Sequence, residues 1–257
     1  MNTPNFDTKT AVVIGGTSGM GKATAQLLLE LDITVIVASR SASSVSEAVA
    51  DLKAFGNVSG LQVDITDRKS TDAFIQSLQQ LDRIDYLVNA SGIFRPKPFL
   101  DNTIEEYDAL LDINRGLYFI TQAVACKMKG TGGGSIVNVG SYWATHAIKG
   151  TPTAAYSMAK AGINAFTQQI AMELAAFNIR VNAIAPGVVE TNVLNAVFGS
   201  TEDVKEAYAS LNSIHPLGRN GQVDEIASTI VHLLSDNAAW VTGAIWNIDG
   251  GMSAGRS

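Results

Sequence analysis

Short apolar runs rich in β-branched residues recur seven times between residue 10 and the C-terminus, and helical patterns fill all six gaps between them. The runs are Ala11–Ile14, Thr34–Val37, Val58–Val63, Tyr86–Val88, Ser135–Val139, Ile179–Ala183 and Ala244–Ile248. The helical patterns cover Gly21–Leu31, Ser44–Phe55, Ser70–Leu81, Ile104–Met128, Ala155–Ala176 and Val223–Leu234. Nearly continuous apolar strands suit a parallel sheet covered on both faces, and parallel neighbours need a crossover long enough to hold a helix. The alternation therefore predicts an α/β fold: a single doubly wound domain over residues 1–257, with a seven-stranded parallel sheet flanked by helices and right-handed crossovers. No Pro/Gly/Ser-rich linker, charge block or fixed-period repeat interrupts it.

Composition narrows the function. With 257 residues, 46% of them hydrophobic, one Cys and three His, the chain is neither a disulfide scaffold nor disordered. The few His and Cys show no clustered ligand spacing, so no catalytic metal is expected. A net charge of −6 gives no reason to expect a polyanion, which argues against a nucleic-acid partner. No apolar run approaches the roughly 18 residues of a spanning helix, and Met1–Lys9 is polar and too short for a signal peptide. A soluble, cytoplasmic protein without membrane contact is expected. The charged fraction of 16% is low and hints at surface buried between subunits.

The first run ends directly in Gly15–Gly16–Thr17–Ser18–Gly19–Met20–Gly21, and a helical pattern follows at once. Glycines here let the chain turn tightly, let backbone N–H groups approach a pyrophosphate, and let the helix close on the sheet. Lys22 lacks the spacing of a P-loop lysine. The second run leads into Ser39–Arg40, where the adenosine ribose of a dinucleotide would lie. An acidic residue there would repel a 2′-phosphate; a guanidinium can fork onto its oxygens, so NADP(H) is favoured. Asp64–Ile65 after the third run and Asn89–Ala90–Ser91–Gly92 after the fourth supply an adenine contact and a small-residue floor for the nucleotide.

Tyr156 and Lys160 open a long helical pattern, and their four-residue offset places them on one face. A nearby ammonium stabilises phenolate and is expected to lower the tyrosine pKa, fitting it to trade a proton with a carbonyl or alcohol oxygen. Ser141, just past the fifth run, can donate a hydrogen bond to the same oxygen. Asn114 can hold a water that relays protons to Lys160, or can bond its own backbone.

These stretches resemble the short-chain dehydrogenase/reductase family, in its branch with a T-G-x-x-x-G-x-G loop, an N-N-A-G segment, an Asn/Ser/Tyr/Lys tetrad and a Pro-Gly segment after the sixth strand. The likeness runs from about Ala11 to Gly251 and implies a Rossmann-type fold. It matches the loop to Gly15, Gly19 and Gly21, the nucleotide floor to Asn89–Gly92, and the catalytic tetrad to Asn114, Ser141, Tyr156 and Lys160, of which Tyr156 and Lys160 also meet the cofactor. Pro186–Gly187–Val188–Val189–Glu190–Thr191 matches the Pro-Gly segment, which implies that the Val189 backbone serves the carboxamide and the Thr191 hydroxyl the nicotinamide end. Asp249–Gly250–Gly251 resembles the family's closing strand end. Ile14 stands in place of the usual Thr, Ala90–Ser91 in place of Asn–Ala, and the Ser141–Tyr156 interval is two residues longer than usual. A bulge or longer loop through Tyr142–Pro152 is expected to absorb the extra length.

Beside the expected reaction centre, Phe94, Tyr142, Trp143, His146, Leu194, Val197, Phe198 and Tyr208 are candidates for an apolar substrate wall. Val189–Gly221 fits neither pattern well and carries a possible short helix at Glu202–Leu211. It arrives after a strand, at the sheet edge where ligands bind, and is expected to be a substrate lid. The expected activity is an NADPH-dependent carbonyl reductase or alcohol dehydrogenase acting on a ketone or aldehyde. A 3-oxoacyl-thioester (acyl-carrier-protein) reductase is the alternative, although Arg95, Lys97 and Lys149 form only a sparse basic patch. A non-catalytic NADP(H)-binding regulator is a third reading, against which the complete tetrad argues. The resemblance implies a homotetramer, with dimers as a lesser form, in which the Ile104–Met128 and Ala155–Ala176 helices pair across an interface.

Overall fold

The computed structural model describes residues 9–196 and 201–255. Among these, seven parallel strands form one sheet in the order β3-β2-β1-β4-β5-β6-β7. They are β1 (Thr10–Ile14), β2 (Thr34–Ser39), β3 (Val58–Gln62), β4 (Tyr86–Asn89), β5 (Gly134–Val139), β6 (Ile179–Pro186) and β7 (Ile245–Ile248). The helices are α1 (Gly19–Glu30), α2 (Ala42–Leu52), α3 (Arg68–Gln79), α4 (Ile104–Gly130), α5 (Ala154–Leu174), α6 (Thr201–Leu211) and α7 (Val223–Leu234). No helix among the described residues is long and apolar enough to cross a membrane.

Strand residues alternate between the two layers, as a pleat requires. Ala11 and Val13 join a core with Leu28 and Leu29 of α1, Leu52 of α2 and Ile230 and Leu233 of α7. Val12 and Ile14 join the opposite core with Phe74 of α3, Ile120 of α4 and Ile163 of α5. Each such fully buried aliphatic side chain is worth about 1.5–3 kcal/mol. Because strand order reverses between β1 and β4, the loops leaving those two strands part company and open a crevice at the carboxyl edge of the sheet.

The differences from expectation lie at ends and edges. α2 and α3 begin two residues early because Ser41 and Asp67 cap them, accepting hydrogen bonds from the N–H groups of Ser44 (3.3 Å) and Ser70 (2.6 Å). β3 and β7 are edge strands, so their side chains are only partly covered, unlike the continuously buried strands expected from their composition. The excursion between β6 and α7 holds α6, one residue longer than expected at its start, and it is closed at its base. Val189 and Gly221 form an isolated parallel bridge, with Glu190 N–H donating to the Gly221 carbonyl and Gly221 N–H to the Val188 carbonyl, both at 2.9 Å.

Candidate active site

The glycine turn is built by backbone crowding. Gly15 has φ +80°, and a Cβ there would sit 2.8 Å from the Ser91 nitrogen. A Cβ at Gly21 would drive into the Gly15 carbonyl, so side chains are excluded where α1 closes on the turn. Thr17 and Gly19 are half-buried in the turn, and Met20 packs on the sheet core. Ser18 starts α1 without a side-chain cap, and the first turn has no acidic residue. The N–H groups of Gly19–Gly21 are therefore not engaged by a cap, which is the donor set a pyrophosphate needs. Ser39 ends β2, and Arg40 beside it is exposed with no ion pair among the described residues, so its guanidinium is available to a 2′-phosphate. The turn and Arg40 thus fit a phosphorylated dinucleotide.

Two expected nucleotide contacts are rearranged. Asp64 Oδ1 accepts from the Thr66 N–H (3.0 Å) and Thr66 hydroxyl (2.7 Å), so that oxygen shapes its own turn and only the rest of the carboxylate faces outward bonding. Ile65 is buried, and its carbonyl lies where a Cβ of Gly116 would be. Gly116, which the sequence reading passed over, is thus what lets α4 close on this loop; its only signal was a lone glycine inside a long helical pattern. The Asn89 side chain turns inward, leaving only its backbone to the crevice. It is 2% exposed and donates to the Thr121 hydroxyl (2.9 Å) and to Asn138 Oδ1 (2.8 Å), while Asn138 donates to the Thr167 hydroxyl (2.8 Å). This buried chain ties β4 and β5 to α4 and α5. The Ala90–Ser91 backbone presses on Gly15, and a Cβ at Gly92 would lie 3.5 Å from Lys160 Nζ, so these residues do join the turn to the reaction centre.

The tetrad converges. Ser141, 4% exposed, lies close enough to the Tyr156 phenol to lower its pKa, and it caps the 3₁₀ turn Tyr142–Ala144 by accepting from the Trp143 N–H (3.3 Å). That turn and the loop after it absorb the two extra residues without parting Ser141 from Tyr156. Lys160 Nζ donates to the Val139 carbonyl (2.7 Å) and lies 5.9 Å from the centroid of the Tyr156 ring. Asn114 Nδ2 donates across to the Ala159 carbonyl of α5 (2.8 Å), not to its own backbone. Ser91, Asn114, Tyr156 and Lys160 line one small cavity of about 10 Å³.

Electrostatics correct one expectation. Burial holds the Tyr156 phenol above its ordinary pKa, and the group that opposes this is Ser141, not the lysine. Burial also pushes the Lys160 ammonium down to about 8, and its proton is directed at the Val139 carbonyl. Desolvation of both groups outweighs the attraction that the four-residue spacing suggested.

Around Tyr156 the structure gathers Phe94, edge-on at 5.2 Å, and Trp143, 6.0 Å from Phe94. His146 stacks on Tyr142 at 4.5 Å and forms the outer end of this aromatic row. Leu194 is buried in the 3₁₀ turn Asn192–Ala196, while Val197 and Phe198 lie outside the described residues. The Tyr208 hydroxyl is taken up by the backbone: it accepts from the Thr191 N–H (3.0 Å) and donates toward the Thr191 carbonyl (2.8 Å). The Thr191 hydroxyl accepts from the Val193 N–H (3.2 Å), and its methyl would lie 3.4 Å from a Cβ at Gly19, which sets the Pro186–Thr191 segment against the glycine turn.

The comparisons agree with this geometry. A family model described as enoyl-(acyl carrier protein) reductase matches residues 15–253. The chain is 36% identical over 248 residues to a 3-oxoacyl-[acyl-carrier-protein] reductase of Thermotoga maritima, covering 95% of this chain and 97% of the relative. It is 34% identical over 250 residues to a cyclopentanol dehydrogenase of Comamonas, covering 96% and 97%. Among solved structures, one described as YwfH, an NADPH dependent reductase involved in bacilysin biosynthesis, superposes with a TM-score of 0.88 at 25% identity, covering 97% of this chain and all of that one. Fold, site and relatives together place this chain in the short-chain dehydrogenase/reductase family.

Proposed function

We propose that the chain is an NADP(H)-dependent oxidoreductase that interconverts a ketone or aldehyde and the corresponding alcohol. The observation that carries this is the convergence of Tyr156, Lys160 and Asn114 on one cavity that Ser91 and Gly92 also line, with Ser141 beside Tyr156. The Gly15–Gly21 turn would hold the pyrophosphate, Arg40 the 2′-phosphate, and Val189 and Thr191 the nicotinamide end. Bound NADPH supplies the hydride that reduces the carbonyl carbon. Ser141 orients the carbonyl oxygen by a hydrogen bond, and Tyr156, kept protonated at neutral pH by its burial, gives that oxygen its proton. Ser141, the group that opposes the effect of burial on the phenol, then stabilises the phenolate until solvent protonates it again, and Asn114 fixes the α4–α5 contact.

A 3-oxoacyl-thioester reductase is the second reading, favoured by the printed activity of the Thermotoga relative. The basic patch argues the other way: Lys97 is tied to Glu106 at 2.7 Å and offers little charge to an acidic carrier protein. NADPH oxidation assayed with an acetoacetyl thioester, an aromatic ketone and an aldose, each repeated with NADH, separates the readings. Turnover confined to the thioester selects the second, and no turnover with any carbonyl rejects both.

The same proposal covers a single domain over the chain, with residues 189–221 acting as a substrate lid. It includes a homotetramer, supported by the exposed Tyr118, Phe119 and Met172 on α4 and α5. A cytoplasmic location is supported by the exposed free thiol of Cys126, which suits a reducing compartment.

A further inference from the structure

Two side chains outside the tetrad hold the Val188–Thr191 backbone, and both come from the excursion between β6 and α7. From α6, the Tyr208 hydroxyl bonds the Thr191 N–H and carbonyl and lies 3.3 Å from the Val189 carbonyl. From the turn just after α6, His215 Nε2 accepts the Val188 N–H at 3.2 Å, while its Nδ1 faces the Leu211 carbonyl at 3.2 Å. Only the tautomer with its proton on Nδ1 satisfies both contacts, so the ring links the carbonyl of Leu211, the last residue of α6, to the backbone just past β6. The ring is 3% exposed and seated between two glycines. A Cβ at Gly187 would come within 3.1 Å of His215 Nε2, and one at Gly250 within 3.3 Å of His215 Cβ. Asn220 completes the frame by donating from Nδ2 to the Tyr208 carbonyl at 2.7 Å.

We infer that Tyr208 and His215 are positioning residues that lock α6 to the nicotinamide-end segment, so that the lid and the carboxamide-binding backbone move as one unit. The inference rests on the proposed reading of Val188–Thr191 as that segment. Loss of either link leaves part-buried backbone groups of the segment without their side-chain partners and frees it to sample other arrangements. The cost falls on the nicotinamide half of the cofactor, because the pyrophosphate and 2′-phosphate sites are held by separate elements.

Calorimetric titration of the full chain with NADPH and with 2′-phospho-ADP-ribose, which lacks the nicotinamide, tests this. Tyr208→Phe and His215→Leu are expected to weaken NADPH at least fivefold while changing the fragment less than twofold. His215→Gln, whose amide oxygen can replace the Nε2 acceptor, is expected to recover most of the loss seen in His215→Leu. Parallel weakening of both ligands, or NADPH affinity unchanged in Tyr208→Phe, overturns the positioning role. Should His215→Leu fail to fold, Tyr208→Phe, which removes one oxygen, decides alone. Failure of the unaltered chain to bind either ligand instead rejects the cofactor reading, and the positioning role falls with it.

Discussion

The glycine turn after β1 and the Pro186–Thr191 segment after β6 meet across Gly19 and Thr191, yet they are held by different means. At the turn, main chain packs on main chain: Gly15 against Ala90–Ser91, and Gly21 against Gly15. At the segment, side-chain hydroxyl and imidazole groups from a separate excursion supply the restraint. A main-chain contact of this kind has no rotamer to change, whereas a side-chain link can break and reform. The turn is therefore held by main chain alone, whereas the position of the Pro186–Thr191 segment depends on side chains of the excursion.

The largest effect expected isolates the chemistry from both ends. Tyr156→Phe should fold and bind NADPH while turnover falls about 10²–10⁴-fold, the contribution of a positioned acid; activity within tenfold of the unaltered chain rejects Tyr156 as proton donor. Gly21→Ala attacks the main-chain contact at the turn. Its methyl has no space beside the Gly15 carbonyl, so urea unfolding should show a loss of about 2–3 kcal/mol, and an unmoved midpoint would mean that the turn yields. Arg40→Asp tests the proposed 2′-phosphate site. The NADPH/NADH ratio of kcat/KM should fall about tenfold to a few hundredfold, with the fold intact; an unchanged ratio removes Arg40 from selectivity.

The smallest effect is a pH slope from the reaction centre. Lys160 sits at about 8 when folded, below its ordinary value of 10.5, so the unfolded chain binds more protons between pH 7 and 9. Stability contributed by this residue therefore rises with pH, by about 1 kcal/mol across that window. Urea unfolding of the unaltered chain and Lys160→Met at both pH values measures it, and equal slopes in the two proteins contradict the burial of the ammonium.

What could be read from the sequence was whatever repeats locally. Apolar runs and helical spacing set out the strands and crossovers, because burial on both faces leaves its mark on each strand by itself. That Tyr156 and Lys160 lie together was legible because they share one helix, while the family resemblance, not local spacing, singled out Ser141 and Asn114. Tyr208 was not, since a phenol in an amphipathic helix looks the same whether it faces substrate or clamps a backbone 17 residues away. The inward turn of Asn89 depends on Thr121 and Asn138, which only the folded sheet brings near. The Tyr156 pKa went the other way for the same reason: charge spacing is a local property, and burial belongs to the whole fold.

The bridge between Val189 and Gly221 brings the two ends of the excursion together. Insertions or deletions beyond that closure leave the register of β6 and β7 untouched, so the length of this stretch is free to vary while the sheet stays the same. Changing the length of this stretch while keeping Thr191, Tyr208 and His215 is then a route to new substrate preference with the Val188–Thr191 backbone still held.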